Sequence, residues 1–349
     1  MTPSSNTLRD ALNETVGRIC RDHLAGDVRR RTDGGEWPQA LWTALEDAGI
    51  LSGLLPEVLG GPGIPADDAW SMMSTFGELA LPVPAAETML ARSLFARAGI
   101  KAPDGILTIA SAASPAPLRL RDGRVCGRLV GVPHATRAQG VVAIVEADDA
   151  PQLVLLDPAA CRIEAGVNLA GEPRDTLVSD ATPKLALAPA PLSADALLGA
   201  CAVMRSAQMA GALRTIQGMV IDYAGLREQF GRKLAGFQAI QHAIARLVEQ
   251  VAAAVAAAEG GIEALGRDDS PTIAAAKIRS GEAAGLAAAI AHQVLGAIGY
   301  TREHDLNLYT RRLWSWRDEF GGEAFWSARL GRRMIAAGPD RLWAEITAA

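Results

Sequence analysis

With 349 residues, 49% of them hydrophobic and 21% charged, the chain has a globular composition and is long enough for two or three domains. A formal net charge of −5 argues against a nucleic-acid surface. Cys20, Cys126, Cys161, Cys201 and the five histidines fit no zinc-ligand spacing and no disulfide framework.

The chain begins MTPSSNTLRDALNE, without the apolar core of a secretory signal. No uncharged apolar stretch is clearly long enough to span a bilayer, so a cytoplasmic protein with reduced thiols is expected. In residues 7–24, Leu8, Leu12, Val16 and Ile19 recur at helical spacing. A second helix is predicted from Trp37 to about Ala48, closed by Gly49. LPEVLGGPG must be a loop, because Gly60, Gly61, Pro62 and Gly63 break a helix. Helix resumes through DDAWSMMSTFGELA, and ETMLARSLFARAG ends this region at Gly99.

Between residues 101 and 190 the texture changes. GILTIASA, LRLRDGRVCGRLVGV, GVVAIVEA and PQLVLLD are short, rich in branched residues and separated by turn signals. Asp122-Gly123 marks a hairpin. No helical segment intervenes, so a mostly antiparallel sheet or small barrel is expected. From residue 191 to 349 the helical pattern returns. After Gln238, residues Ile240, Ile244, Leu247, Val251 and Val255 form an apolar stripe opposite Gln241, Arg246 and Glu249. Alanine runs let helices approach closely, as in a bundle. The reading is thus an α+β chain: helical domain 1–100, β-domain 101–190, helical bundle 191–349.

Residues 223–247, YAGLREQFGRKLAGFQAIQHAIARL, interrupt two helices with three glycines around a basic pair. On composition, the connector reads as a solvated helix–helix turn or as a grip for a pyrophosphate. Arginine binds phosphate in a bidentate manner, and glycine permits close backbone approach. A second helix runs into a glycine turn in HQVLGAIGYTREHDLNLYTRRLWSW.

Together, REQFGRKLAGFQAIQ, QVLGAIGY and LPEVLGGPG resemble the R-x-x-F-G-x-x-L-x-x-F-Q-x-x-Q, Q-x-x-G-G-x-G-Y/F and L-P-E-x-x-G-G-x-G segments of the acyl-CoA dehydrogenase family. The helical, β, helical order is similar as well. The resemblance implies an N-terminal helical domain, a middle β-domain and a C-terminal four-helix bundle, usually assembled as a tetramer around FAD. Carried over by position, Arg227, Phe230 and Gln238 would contact the FAD of a neighbouring subunit, with Arg227 on the pyrophosphate. Gln293 and Gly296 would lie along its ADP part.

The reaction implied is α,β-dehydrogenation of an acyl-CoA thioester. A carboxylate removes the α-proton while the β-hydrogen leaves as hydride to flavin N5. The family's base lies in a Y-E-G-T-like loop, where this chain has WRDEFGGEAFW. Gapless pairing from Gly299 puts Phe320 at the base position. A one-residue shift selects Glu319, with Asp318 and Glu323 as alternatives, and a solvated acidic turn is the competing reading. The other family position for the base falls near Cys201, where no acid stands.

The T-E-P-x-x-G-S-D segment has no counterpart; TIASAASPAPL occupies its place. GRLVGVPHATRAQGVV replaces the W-I-T-N-type strand, with His134 and Thr136 as flavin-contact candidates or a satisfied loop. Trp314, Trp316 and Trp326 would line an acyl pocket or pack between helices. This shortened pattern looks similar to small bacterial subunits acting on steroid side chains or dicarboxylates, some paired with a larger partner. Two competing functions therefore stand beside the enzyme: a non-catalytic, flavin-sharing subunit, and a flavin monooxygenase on the same fold. The resemblance implies an electron-transfer flavoprotein as acceptor, and either a homo-oligomer or a hetero-oligomer.

Overall fold

The computed structural model describes residues 5–110, 118–121, 123–145, 147, 150–267 and 270–347. The chain forms two compact units, Met1–Met72 with Pro82–Cys201, and Met73–Leu81 with Ala202–Ala349.

In the first unit, α1 (Ser5–His23) buries Val16 and Ile19, the inner half of the predicted stripe. The short α2 (Asp27–Asp33, DVRRRTD) was not legible, because it has no apolar periodicity and buries nothing. In α3 (Gln39–Asp47), Leu41, Trp42 and Leu45 face inward. Gly49 follows it at φ +72°, the left-handed geometry that ends a helix. LPEVLGGPG is a loop with one 3-10 turn, Glu57–Leu59. Gly60 takes φ +82°, and a Cβ on Gly61 would run into the Leu55 carbonyl. The helix α4 (Ala66–Glu78) starts here and α5 (Ala85–Arg97) follows. The α5 helix is buried on nearly every side, and its Arg92 reaches the Glu46 carboxylate and the Gly105 carbonyl.

The strands are β1 (Leu107–Ile109), β2 (Arg119–Arg121), β3 (Arg124–Pro133), β4 (Gly140–Val145), β5 (Gln152–Leu156), β6 (Arg162–Glu164) and β7 (Arg174–Pro189). They form one sheet in the order β1-β4-β5-β7-β3-β2, with β6 beside β7. Only the β1–β4 pair is parallel among the described strands. The pairing Arg121↔Arg124 closes β2 onto β3 as the hairpin signal predicts; Asp122 itself lies outside the described residues. The sequence pattern did not reveal β6 or β7. In β7, RDTLVSDATPKLALAP breaks its apolar alternation with Ser-Asp and Thr-Pro-Lys, which read as turns. Yet β7 is the longest strand, pairing with β3 along one half and β5 along the other.

The second unit contains α6 (Ala194–Leu226) from Ala202 onward, the two-stranded β8 (Glu228–Gln229) and β9 (Arg232–Lys233), α7 (Gln238–Glu263) and α8 (Pro271–Leu295). The helices α9 (Leu306–Asp318), α10 (Glu323–Ala337) and α11 (Leu342–Thr347) follow. Leu213, Ile216 and Val220 of α6, Leu247 and Val251 of α7, Ala284, Ala287 and Ala291 of α8, and Leu313 and Trp316 of α9 form one core. Ile240, Ile244 and Val255 of the predicted stripe pack against it half-buried. Gly77 and Gly211 carry no side chain because a Cβ on either would collide with the backbone of Gln208 or Ser74. Contrary to expectation, α6 and the run Pro271–Tyr300 are long and apolar enough to match a bilayer. The most apolar window of α6 is 94% buried within the chain, which suits a bundle core.

Candidate functional site

At one end of the bundle, α6 stops at Leu226 and α7 starts at Gln238, within the stretch 223–247 where the sequence pattern is interrupted. The connector is a small hairpin. Glu228 pairs with Lys233 and Gln229 with Arg232. Both central residues have positive φ, Phe230 at +54° and Gly231 at +75°, as a type I′ turn requires. Phenylalanine is a strained choice there, and its ring is 92% exposed. One edge of Phe230 meets Phe237, with ring centroids 6.3 Å apart, and the Arg232 guanidinium lies 4.0 Å over the Phe237 ring. The base of the hairpin is anchored: the Leu234 amide donates to the Arg227 carbonyl at 2.9 Å, and Leu234 and Ala235 pack on the bundle core.

The antiparallel pair α7–α8 brings the second glycine segment to the same end. Arg279 of α8 donates to Gln250 of α7, and Gly261 packs on Ala276. Carried along two helices of nearly equal length, that register sets Gln238 level with Gln293 and Gly296. Arg227, Phe230, Gln238 and Gln293 are all exposed. Gly296 has φ +64° and ψ −143°, a conformation that L side chains rarely adopt. A Cβ built there meets nothing within 4 Å, so the space before it is open. Behind this turn His292 is buried, stacked on Tyr300 at 4.4 Å and Trp314 at 5.7 Å, with Nε2 3.1 Å from the Thr310 hydroxyl. Burial pushes its pKa down, so the stack is neutral at pH 7.

Residues 317–323, between α9 and α10, are a different kind of structure. Glu319 is 15% exposed, and its Oε2 accepts from Arg205 Nε at 2.7 Å; the Arg205 side chain is 2% exposed. Arg205 comes from α6, one turn beyond Cys201, and also donates to Gln208. Its guanidinium lies 5.3 Å from the Phe320 ring and 5.9 Å from Trp316, within cation–π range. Phe320 takes φ +57° and Gly321 +93°. The Trp326 indole donates to the Phe320 carbonyl at 3.0 Å. Lys277 Nζ donates to the carbonyls of Arg317 at 2.6 Å and Gly321 at 2.8 Å. Burial pushes the Lys277 pKa down to about 8, against the pull of Glu323, Glu319 and Asp318.

One unit thus carries two regions, an exposed one rich in donors and a half-buried one rich in paired charges. The family model for "Acyl-CoA dehydrogenase, C-terminal domain" matches residues 194–321, which takes in the hairpin end and the turn as far as Gly321. The acyl-CoA dehydrogenase IpdE2 of Mycobacterium tuberculosis is 31% identical over 328 residues, covering 89% of this chain and 92% of that protein. The chain belongs to the acyl-CoA dehydrogenase family. Its fold matches the solved Tcur3481-Tcur3483 steroid ACAD with a TM-score of 0.87 at 24% identity, over 96% of this chain and 99% of that one. The ChsE4-ChsE5 complex of Mycobacterium tuberculosis gives 0.87 at 23% identity, over 97% and 99%.

For an acyl-CoA dehydrogenase, the arrangement divides the residues selected from sequence into three groups. Arg227, Phe230, Gln238, Gln293 and Gly296 share one bundle end. Glu319 stands apart in the half-buried turn, while Asp318 is exposed and Glu323 is ion-paired to Arg317 at 2.6 Å. His134 belongs to the first unit. It is buried at φ +49°, edge-on to Trp37 at 6.2 Å, with no partner for Nδ1 and a pKa pushed down to about 4, chiefly by burial. The Thr136 amide donates to Asp175 at 3.0 Å. Of TIASAASPAPL, residues 111–117 lie outside the described residues. Trp316 and Trp326 are buried and Trp314 stacks on His292, so all three pack between elements.

Arg205 and Lys277 escaped the sequence reading. Their signal was present: Arg205 is the one charge in residues 196–213, and Lys277 directly follows the alanine run 274–276. A lone charge on an otherwise buried helix needs a buried partner. Among the described residues no group of three His, Cys, Asp or Glu side chains is placed to hold a metal.

Proposed function

We propose that this chain works as an FAD-dependent acyl-CoA dehydrogenase within an oligomer, its bundle end clasping the cofactor. The carrying observation is the convergence of Arg227, Gln238, Gln293 and Gly296 on that end. The donor set suits a dinucleotide: a guanidinium for the pyrophosphate, two amides for sugar and base oxygens, and open space before a bare glycine backbone. The exposed Phe230 suits an apolar contact with the same ligand. Bound flavin supplies the acceptor for the β-hydrogen.

The chain's own part in the chemistry is assigned to residues 317–323. Glu319 takes the α-proton, after leaving its hydrogen bond to Arg205. Arg205 then remains as a fixed positive charge beside the developing enolate, where a preorganised charge is most effective. The two-protein make-up of the Tcur3481-Tcur3483 and ChsE4-ChsE5 structures supports a second, related chain as partner. The steroid named for the first supports a bulky acyl group. The acceptor we assign is an electron-transfer flavoprotein.

One observation favours a second reading. Glu319 is already bonded to a buried guanidinium, and an opposite charge holds a carboxylate in its ionised, less basic form. In that reading this chain shares flavin and a partner supplies the base.

Two measurements decide. The first is the visible spectrum of the chain alone and co-expressed with its partner, before and after addition of a steroid side-chain acyl-CoA. Flavin that binds and bleaches in the chain alone supports the enzyme; colour only with the partner supports the sharing subunit. The second is Glu319→Gln in whichever assembly binds flavin. Abolished bleaching with flavin retained supports Glu319 as base, and undiminished bleaching removes it. Nothing specific favours the monooxygenase.

A further inference from the structure

Lys277 is an expensive residue to place where it is. Its side chain is 1% exposed, and a buried ammonium is tolerated only where its donors are satisfied. Here they go to main-chain oxygens, Arg317 O at 2.6 Å and Gly321 O at 2.8 Å. Those carbonyls flank Asp318, Glu319 and Phe320, so one ammonium ties both ends of the segment that carries the carboxylate.

The same face of α8 continues the device at helical spacing. One turn on, a Cβ at Gly281 would collide with the Glu323 carboxylate. A second turn on, a Cβ at Gly285 would stand 2.9 Å from Arg317 Nη1. The two glycines therefore let the Arg317–Glu323 ion pair, 2.6 Å long, lie flat against α8. That pair closes the segment from outside while Lys277 fills it from beneath. Within the clamp Phe320 is held at φ +57°, a conformation unfavourable for a bulky residue. The clamp is thus built to hold one particular arrangement of this turn.

We propose that Lys277 is a positioning residue for dehydrogenation: by tying Arg317 O to Gly321 O it sets where the Glu319 carboxylate stands. This rests on the reading that Glu319 is the base. The groups that face the ammonium are Glu323, Glu319 and Asp318, which favour its charge, and Arg205, which opposes it.

The test uses the flavin-loaded assembly and three variants, Lys277→Met, Lys277→Arg and Glu319→Gln. Amide hydrogen exchange is read in residues 318–322, and kcat and KM are read with the steroid side-chain acyl-CoA. In Lys277→Met, exchange in 318–322 is expected to quicken at least tenfold with α7 unchanged. In the same variant kcat falls ten- to hundredfold with KM within twofold, as misplacement of a reacting group by about 1 Å does. Lys277→Arg, which keeps the donors, restores at least half of the protection.

Wild-type exchange in Lys277→Met overturns the proposal. Exchange that rises equally through α7 and α8 in both lysine variants also overturns it, since Lys277 is then a brace of the whole unit. Glu319→Gln separates this from the reading beneath it. Turnover lost with exchange unchanged supports Glu319 as base. Turnover retained there, with the turn still freed by Lys277→Met, sinks the base and with it the positioning role.

Discussion

The hairpin end of the bundle and the turn at residues 317–323 lie in the same compact unit and are built on opposite terms. At the hairpin, Arg227, Phe230, Gln238 and Gln293 face outward, and what is fixed is the backbone: positive φ at Phe230, Gly231 and Gly296. At the turn, the charged groups other than the exposed Asp318 are partly or fully buried and face one another. Arg205 is matched to Glu319, Arg317 to Glu323, and Lys277 to two carbonyls. The first surface has donors to offer a ligand, whereas the second has used its donors on itself. Substitutions should therefore harm binding at the hairpin and stability at the turn.

The largest effect is expected at Arg205. Arg205→Met leaves the Glu319 carboxylate buried without that guanidinium, a loss of about 3–5 kcal/mol in urea denaturation. Adding Glu319→Gln should recover most of it. If Arg205→Met alone is neutral, the turn is not internally balanced and the contrast fails.

Next comes the pH response of Lys277. Its pKa of about 8 in the fold lies below the ordinary 10.5, so between those values the unfolded chain binds more protons and stability rises with pH. Wild type should gain up to a few kcal/mol relative to Lys277→Met between about pH 8 and 10.5, read by urea midpoints at both ends of that window. A gap that narrows as pH rises would show that the lysine is not desolvated.

Arg227→Ala should act the other way. Loss of charge-assisted hydrogen bonds worth about 1.5–3 kcal/mol weakens FAD retention roughly ten- to hundredfold. Thermal unfolding of the flavin-free protein should stay within about 0.5 kcal/mol of wild type. The smallest effect is predicted for Phe230→Gly, which relieves a left-handed residue by about 1 kcal/mol and so raises stability slightly, while flavin dissociates faster. An exposed aromatic that is strained yet dispensable for both stability and flavin would have no place in the clasp.

These two regions also differ in how far they could be read in advance. The hairpin end was legible because glycine, proline and arginine act locally: helix ends at Leu226 and Gln238 and the breaks at Gly60 and Gly296 follow from backbone preferences of single residues. The level register of Gln238 with Gln293 then follows from two helices of similar length. The turn was only half legible. WRDEFGG announced an acidic loop, yet nothing near it in sequence indicated that Arg205, 114 positions away, would reach Glu319. Nor did it show that Lys277 would sit beneath.

Residue-level pattern determined the helical, β, helical order, the stripe of α7 and the glycine connector, because periodicity and turn chemistry are short-range. Only tertiary packing decided that β7 crosses the sheet through Ser-Asp and Thr-Pro-Lys, and that Gly281 and Gly285 make room for an ion pair. It alone decided that a candidate base meets a buried guanidinium. Buried charge is tolerable only where distant segments close over it together, and that condition is met in space before it can be seen in order.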